Sequence, residues 1–193
     1  MGTPQSVVRS WIGGLVALGI AVGPPSAGAE LRIGDLSVFL NDLDLTVQLV
    51  LVEAIPPSFH ESLESGIPVK ARISLELWQY NRFWMDTRIN ASSVERQLTY
   101  DVLAKEYKVV SAGGERREPY LTKDFREAQR VLSDLRGVKL APVSGLSPRE
   151  LFYVRARAEV SLRGPNTFFA RLFGQAEETP WVLSPLLTVT RRQ

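Results

Sequence analysis

The sequence predicts a mainly β fold, an antiparallel β-sandwich of about eight to nine strands with one four-turn helix and one or two short helices. Apolar and polar residues alternate with period two along several segments, which is typical of strands with one buried and one wet face. Strands covered on both faces of a parallel sheet would instead be continuously apolar. The chain has 193 residues, 45% hydrophobic and 23% charged, which is the balance of an ordinary folded domain.

Residues 1–29 have the three parts of a secretory signal peptide. Arg9 precedes an apolar run from Trp11 to Val22, which is followed by G-P-P and by an A-x-A site that ends at Ala29. The run is shorter than the roughly 20 residues that a membrane-spanning helix needs. We therefore expect cleavage after Ala29, a single β-sandwich domain over residues 30–193 and a periplasmic location. The alternative is an N-terminal anchor in the inner membrane, with the domain facing the periplasm.

Three segments alternate most regularly, namely Leu43–Leu51, Val69–Leu77 and Phe152–Leu162. Their apolar residues occupy one parity, so we expect these strands to line the core. Weaker strand candidates are Ile33–Leu40, Phe83–Ile89, Val94–Leu103, Glu106–Val110, Val138–Pro142 and Trp181–Thr190.

Two helices interrupt the alternation. Thr122 is a suitable N-cap for a helix with one apolar stripe, and Gly137 is a stop signal, which predicts about four turns. Ser58 and Glu61 have the spacing of a capping box, which predicts a short helix ending at Gly66.

The composition excludes several kinds of chemistry. The chain has no Cys and one His, which rules out a disulfide framework, a thiolate zinc site, an iron–sulfur cluster and a cysteine nucleophile. The formal net charge is +2, and no long run of Lys or Arg is present. Nucleic acid is therefore not an expected partner.

The remaining candidates for catalysis and metal binding have stronger structural interpretations. His60 is the single candidate general base of a hydrolase, but it lies at the start of a predicted helix and no nucleophile-elbow sequence is present. Asp42 and Glu53 have the spacing of a calcium loop, but Val47 stands where that loop needs Gly. We expect no catalysis, no metal and no cofactor.

Two aromatic clusters are candidate interaction sites. The first surrounds a predicted hairpin. Trp78 alternates in step with the polar residues of its strand, which places it on the solvent-facing side of the sheet unless another element covers it. The second follows Asn166, the predicted cap of a short helix, which either plugs the end of the sandwich or meets a partner or membrane surface. The candidate interaction residues are Trp78, Tyr80, Arg82, Phe83, Trp84, Phe168, Phe169 and Phe173.

Several short motifs follow one another along the chain, namely R-F-W-M-D at Arg82–Asp86, L-T-Y-D-V-L-A-K-E-Y-K-V at Leu98–Val109, the helix motif Thr122–Ala128, the strand Tyr153–Leu162 and W-V-L-S at Trp181–Ser184. Their order resembles that of the bacterial exported family known as domain of unknown function 4390. The resemblance implies an envelope-associated protein with an unknown envelope protein as partner and hints at a link to a sensor-kinase system, and it supplies no catalytic residue.

These observations lead us to expect an exported binding or protein-interaction module with an envelope protein as partner. A peripheral contact with a membrane is an additional expectation. One alternative is a carrier of a small apolar ligand, with a cavity between the sheets. The other is the hydrolase based on His60.

Overall fold

The computed structural model describes residues 30–40, 43–162 and 176–189, and its described part is mainly β. The strands are β1 (Arg32–Leu40), β2 (Asp44–Val52), β3 (Val69–Tyr80), β4 (Thr87–Asp101), β5 (Glu106–Gly113), β6 (Tyr120–Thr122), β7 (Asp134–Pro142), β8 (Leu151–Leu162), β9 (Ala176–Glu178), β10 (Val182–Leu183) and β11 (Leu187–Thr188). The helices are α1 (Pro57–Glu64) and α2 (Phe125–Ser133), and a 3-10 turn covers Val143–Gly145.

The strands form two antiparallel sheets. The small sheet has the order β1-β2-β7, and the large sheet has the order β10-β8-β3-β4-β5-β6, with β9 and β11 also paired to β8. The alternation in the sequence explains the packing, because Leu45, Val47 and Leu49 of β2 are buried while the residues between them are not. The same parity buries one face of β3 and of β8. The three most regular alternating segments are thus strands, as predicted.

Helix α1 begins differently from the prediction and ends as predicted. Pro57 occupies the first helical turn, and the cap residue Pro56 offers no side-chain hydrogen bond, so Ser58 is not a cap. The end is a Schellman motif, in which Ile67 N–H donates to the Ser62 carbonyl and Gly66 N–H donates to the Leu63 carbonyl. Gly66 takes a φ of 83° there, a conformation that favours glycine.

Helix α2 is shorter than the predicted four turns. Its N-cap is Asp124, which accepts a hydrogen bond from Arg126 N–H, and the helix ends at Ser133. The chain then continues directly as β7, where Leu135 pairs with Leu49 of β2. Leu135 fits the apolar stripe of a helix. Pairing with β2 instead provides hydrogen-bond partners for the backbone N–H and C=O groups and buries the same side chain. The pairing in the small sheet therefore overrides the helical pattern.

The other differences concern the hairpins of the large sheet. β4 is one strand of 15 residues, where the sequence predicts two. Residues 81–86 form a loop, so the strand predicted from Phe83 begins only at Thr87. Val102 and Leu103 lie in the turn to β5, beyond the end of β4. The described strands number eleven, because three short strands follow the edge of β8 near the C-terminus.

Two contacts between the sheets give the direction of β7 relative to β4. Arg96 of β4 donates to the Asp134 carbonyl at the start of β7, and Asn90 of β4 donates to the Leu140 carbonyl near the end of β7. β7 therefore runs antiparallel across β4. Since Asp44 pairs with Pro142, the start of β2 and the β3–β4 loop lie at the same end of the fold.

The expected signal peptide and the cluster of Phe168, Phe169 and Phe173 lie outside the described residues. In the part of the chain that is described, no helix is long and apolar enough to cross a membrane.

Candidate functional site: an apolar tip held by a polar clasp

The β3–β4 loop presents apolar side chains to solvent. Phe83 is 89% exposed, Trp84 81% and Met85 76%. Arg82 lies beside them, with its guanidinium carbon 5.5 Å from the centre of the Phe83 ring. Three consecutive large apolar side chains that are all exposed on one loop form an apolar patch. Such a patch is characteristic of a binding element.

A polar clasp closes this loop at both ends. Asn81 N–H donates to Asp86 Oδ1 at 2.9 Å, and Asn81 Nδ2 donates to the Met85 carbonyl at 3.0 Å. The Tyr153 hydroxyl of β8 donates to Asp86 Oδ2 at 2.8 Å. Burial raises the pKa of Tyr153, and its hydrogen bond to Asp86 raises it further. The four residues between Asn81 and Asp86 are therefore held away from the sheet by bonds that do not involve their own side chains.

A second apolar surface lies at the same end. Phe39 is half exposed at the end of β1, Leu40 follows it, and Leu43 is exposed just before β2. Leu43 is fixed in place because its carbonyl accepts a hydrogen bond from Val143 N–H. We call the six exposed residues Phe39, Leu40, Leu43, Phe83, Trp84 and Met85 the apolar tip.

Trp78 belongs to a different structure, on the outer face of the large sheet. Its ring lies 4.3 Å from the guanidinium carbon of Arg155, and the Trp181 ring lies 4.5 Å from the same carbon. Arg157 in turn lies over the Trp181 ring at 4.8 Å. Trp78 is half-buried because Arg155 packs on it. The C-terminal segment that carries Trp181 thereby joins the root of the hairpin to β8.

Glu76 is the centre of this outer-face cluster. Its carboxylate accepts hydrogen bonds from Arg155 Nε at 2.5 Å, from Trp78 Nε1 at 2.8 Å and from Arg88 Nη1 at 3.2 Å. A register shift after Leu77 turns Arg88 to the same face as Trp78. Burial by itself raises the pKa of Glu76, but the bonds from Arg155, Trp78 and Arg88 outweigh it, so the pKa lies below its usual value.

The structure separates the residues that the sequence groups together. Arg82, Phe83 and Trp84 form the exposed loop, Tyr80 ends β3 below it, and Trp78 packs within the outer-face cluster. Sequence reasoning did not select Met85, the β1–β2 residues of the tip or the clasp residues Asp86 and Tyr153 as site residues. Asn81 and Asp86 are five positions apart, but Tyr153 is 67 positions from Asp86, so no local pattern indicates their bond.

His60 lies in a small apolar recess. Its ring meets the Phe125 ring edge-on at 5.0 Å, and the recess is also lined by Leu63, Glu64 and Tyr107. That lining includes one carboxylate and no serine. Among the residues that the structure describes, no group of three or more His, Asp or Glu side chains is placed to hold a metal ion.

The fold and site define a two-sheet antiparallel domain with a presented apolar tip. The chain belongs to the family described as Domain of unknown function (DUF4390), whose model matches residues 28–176. This match confirms the resemblance carried by the motifs. The matched range includes the β3–β4 loop and the outer-face residues of β3 and β8. No curated protein and no solved structure matches the chain.

Proposed function

We propose that this protein is an exported binding module of the cell envelope that attaches to the surface of a phospholipid bilayer through its apolar tip. In this proposal residues 1–29 are a cleaved leader, residues 30–193 are one domain, and the two sheets form a β-sandwich that acts as a rigid support. The observation that carries the proposal is the exposure of Phe83, Trp84 and Met85 on a clasped loop.

The energy available from the tip is large enough for attachment. Burying an aromatic side chain removes about 150 Å² of apolar surface from water, worth up to about 4 kcal/mol at roughly 25 cal/mol per Å². Two aromatic rings and a Met side chain are exposed together on one loop. The clasp favours binding further, because a loop that is already held in place loses less conformational entropy when it binds.

The shape of this end favours a bilayer over a pocket in a protein partner. The exposed residues at the end of β1 and just before β2 lie at the same end of the fold as the β3–β4 loop. A planar apolar medium extends across that whole end, whereas a pocket accepts a single side chain or loop. Trp is enriched at membrane interfaces, where its ring meets the acyl chains and its N–H meets the headgroups.

The charges next to the tip are compatible with lipid headgroups. No carboxylate lies between Arg82 and Met85, and the carboxylate of Asp86 is bound by Asn81 and Tyr153. Arg82 lies in the loop itself and is exposed. Its charge adds attraction to anionic phospholipids, an effect worth about 1 kcal/mol for a basic residue near the surface.

The experiment is vesicle binding by the protein that begins at Glu30. This form avoids the apolar run before Ala29, which would itself bind lipid, and it contains every described element. The double variant Phe83→Ser with Trp84→Ser is compared with the matched control Leu103→Ser with Leu121→Ser. Leu103 and Leu121 are also exposed, on the β4–β5 turn and on β6, away from the tip.

We expect binding to phosphatidylcholine vesicles that becomes tighter when phosphatidylglycerol is added. The tip variant should bind at least tenfold more weakly, since a loss of about 1.4 kcal/mol suffices for that factor, and the control should bind as the unmodified protein does. Equal binding by the tip variant and the unmodified protein, or no binding to either vesicle, contradicts the proposal. A protein partner for the tip would then be the remaining explanation.

A further inference from the structure

A cleft rich in arginine lies beside the middle of β4, away from the apolar tip. It has a volume of about 430 Å³ and contains the side chains of Arg96, Arg116, Arg117, Arg130 and Arg136 together with Glu115 and Asp134. Arg96 is nine residues beyond the start of β4, so the cleft and the tip are roughly 30 Å apart along the strand. Nothing in the proposed attachment of the tip uses this cleft.

Three of the five arginines already have a carboxylate partner. Arg96 is almost fully buried and binds Glu115 through two hydrogen bonds of 2.5 and 3.0 Å. Arg136 pairs with Asp134 at 2.6 Å. Arg130 reaches only Glu127 at 3.7 Å, outside the cleft. Arg116 and Arg117 make no ion pair in the described part of the chain. Arg116 and Arg117 therefore bring two positive charges to the cleft that no carboxylate of the described residues pairs with.

The loop that carries Arg116 and Arg117 is fixed where it leaves β5. Gly114 lies so close to β4 that an added Cβ would be 1.9 Å from the Ser93 carbonyl oxygen. The next residue, Glu115, is held by Arg96, and its carbonyl accepts a hydrogen bond from the Ser111 hydroxyl at 2.7 Å. Arg96 also donates to the Val131 and Asp134 carbonyls at the end of α2. One buried guanidinium thus fixes both the loop and the helix end that form the cleft walls.

We propose that this cleft is a binding site for a phosphate-type oxyanion, taken up from the aqueous side of the envelope. Guanidinium groups match such ligands because each offers parallel N–H donors to two oxygens of one phosphate. Like charges gathered on one cleft repel one another, and a multivalent anion removes that repulsion. The volume suits a diphosphate or a small phosphorylated molecule, and the distance from the tip keeps the site away from a bilayer bound there.

The test is titration of the protein that begins at Glu30 with inorganic pyrophosphate, followed by calorimetry and by backbone amide shifts. Arg116→Gln with Arg117→Gln is compared with Lys108→Gln with Arg149→Gln, which removes the same charge from exposed positions outside the cleft. We expect saturable one-to-one binding, shifts confined to the cleft residues, at least tenfold weaker binding by the cleft variant and less than a twofold change in the control.

Binding without saturation, or equal affinity in the two double variants, would overturn the proposal. A second arm uses phosphatidylglycerol vesicles to distinguish the source of the phosphate. If the cleft variant binds pyrophosphate weakly but vesicles normally, the ligand is soluble; if both decrease, the oxyanion site takes a lipid headgroup. The result is independent of the tip, because the Phe83→Ser and Trp84→Ser variant should bind pyrophosphate unchanged.

Discussion

Replacing Glu76 by Gln tests whether the outer-face cluster holds the hairpin root and the C-terminal segment together. The carboxylate is buried and accepts hydrogen bonds from Arg155, Trp78 and Arg88. Gln retains one acceptor oxygen but places an amide N–H group among donors. Arg155 then loses its charged partner while it remains between the Trp78 and Trp181 rings.

The expected loss follows from these contacts. A buried hydrogen bond to a charged group contributes about 1.5 to 3 kcal/mol, and the more exposed Arg88 pair adds little. We therefore expect Glu76→Gln to lower the free energy of unfolding by about 2 kcal/mol at neutral pH. For a domain of this size, that corresponds to a decrease in Tm of roughly 4 to 8 °C.

The pH dependence provides a second, independent readout. The pKa of Glu76 is lower in the folded protein than its usual value of 4.5, so on acidification the unfolded chain takes up the proton first. The stabilisation is present above the unfolded pKa and is lost as the pH falls through the folded pKa. The difference between the unmodified protein and Glu76→Gln should therefore narrow as the pH is lowered from neutral to about 4.

Urea unfolding followed by circular dichroism at the two pH values measures both quantities. Glu95→Gln is the matched control, because its pair with Arg72 is on the same face but is exposed. That substitution should cost less than about 1 kcal/mol. The reasoning is refuted if Glu76→Gln is as stable as the unmodified protein, or if the difference between them does not change with pH.

Three further substitutions test the core, the cleft loop and the clasp. Phe152→Ala should destabilise the protein by about 3 to 5 kcal/mol in urea unfolding, because the side chain is fully buried in the core; a cost below about 1 kcal/mol would contradict that packing. Gly114→Ala should cost more than about 2 kcal/mol, because its φ is 80° and the new Cβ meets the Ser93 carbonyl. Gly145→Ala, which has open space around it, is the control in the same unfolding assay. Tyr153→Phe should cost about 1 kcal/mol and sharpen the amide signals of the β3–β4 loop through increased mobility, and unchanged loop dynamics would show that the bond to Asp86 does not restrain it.

The sequence predicted the strands whose alternation is regular, because one side of each is buried in the core. β2, β3 and β8 were found in this way, and the pattern also placed Trp78 on the outer side of its strand. The prediction failed where two patterns compete. Leu135 satisfies the apolar stripe of a helix, but in the structure it pairs with Leu49 in the small sheet.

The candidate site was predictable only in part. The aromatic residues near Arg82 indicated a recognition element, but their separation into the apolar tip and the outer-face cluster depends on contacts between distant strands. Glu76 and Arg155 are 79 positions apart, and Tyr153 and Asp86 are 67 positions apart. No local pattern encodes such pairs. The arginine cleft is equally non-local, because β4, the loop after β5 and the end of α2 each contribute to it.

The most direct test of the central claim is the depth of Trp84 in a bilayer. Tryptophan fluorescence of the protein that begins at Glu30 is measured on vesicles with and without brominated acyl chains, for the unmodified protein and for Trp84→Phe. Trp78 and Trp181 are held in the outer-face cluster, so quenching should come from Trp84 and should disappear in Trp84→Phe, which keeps an aromatic ring and still binds. Equal quenching in both proteins, or no quenching when the unmodified protein is bound, would contradict attachment through the tip.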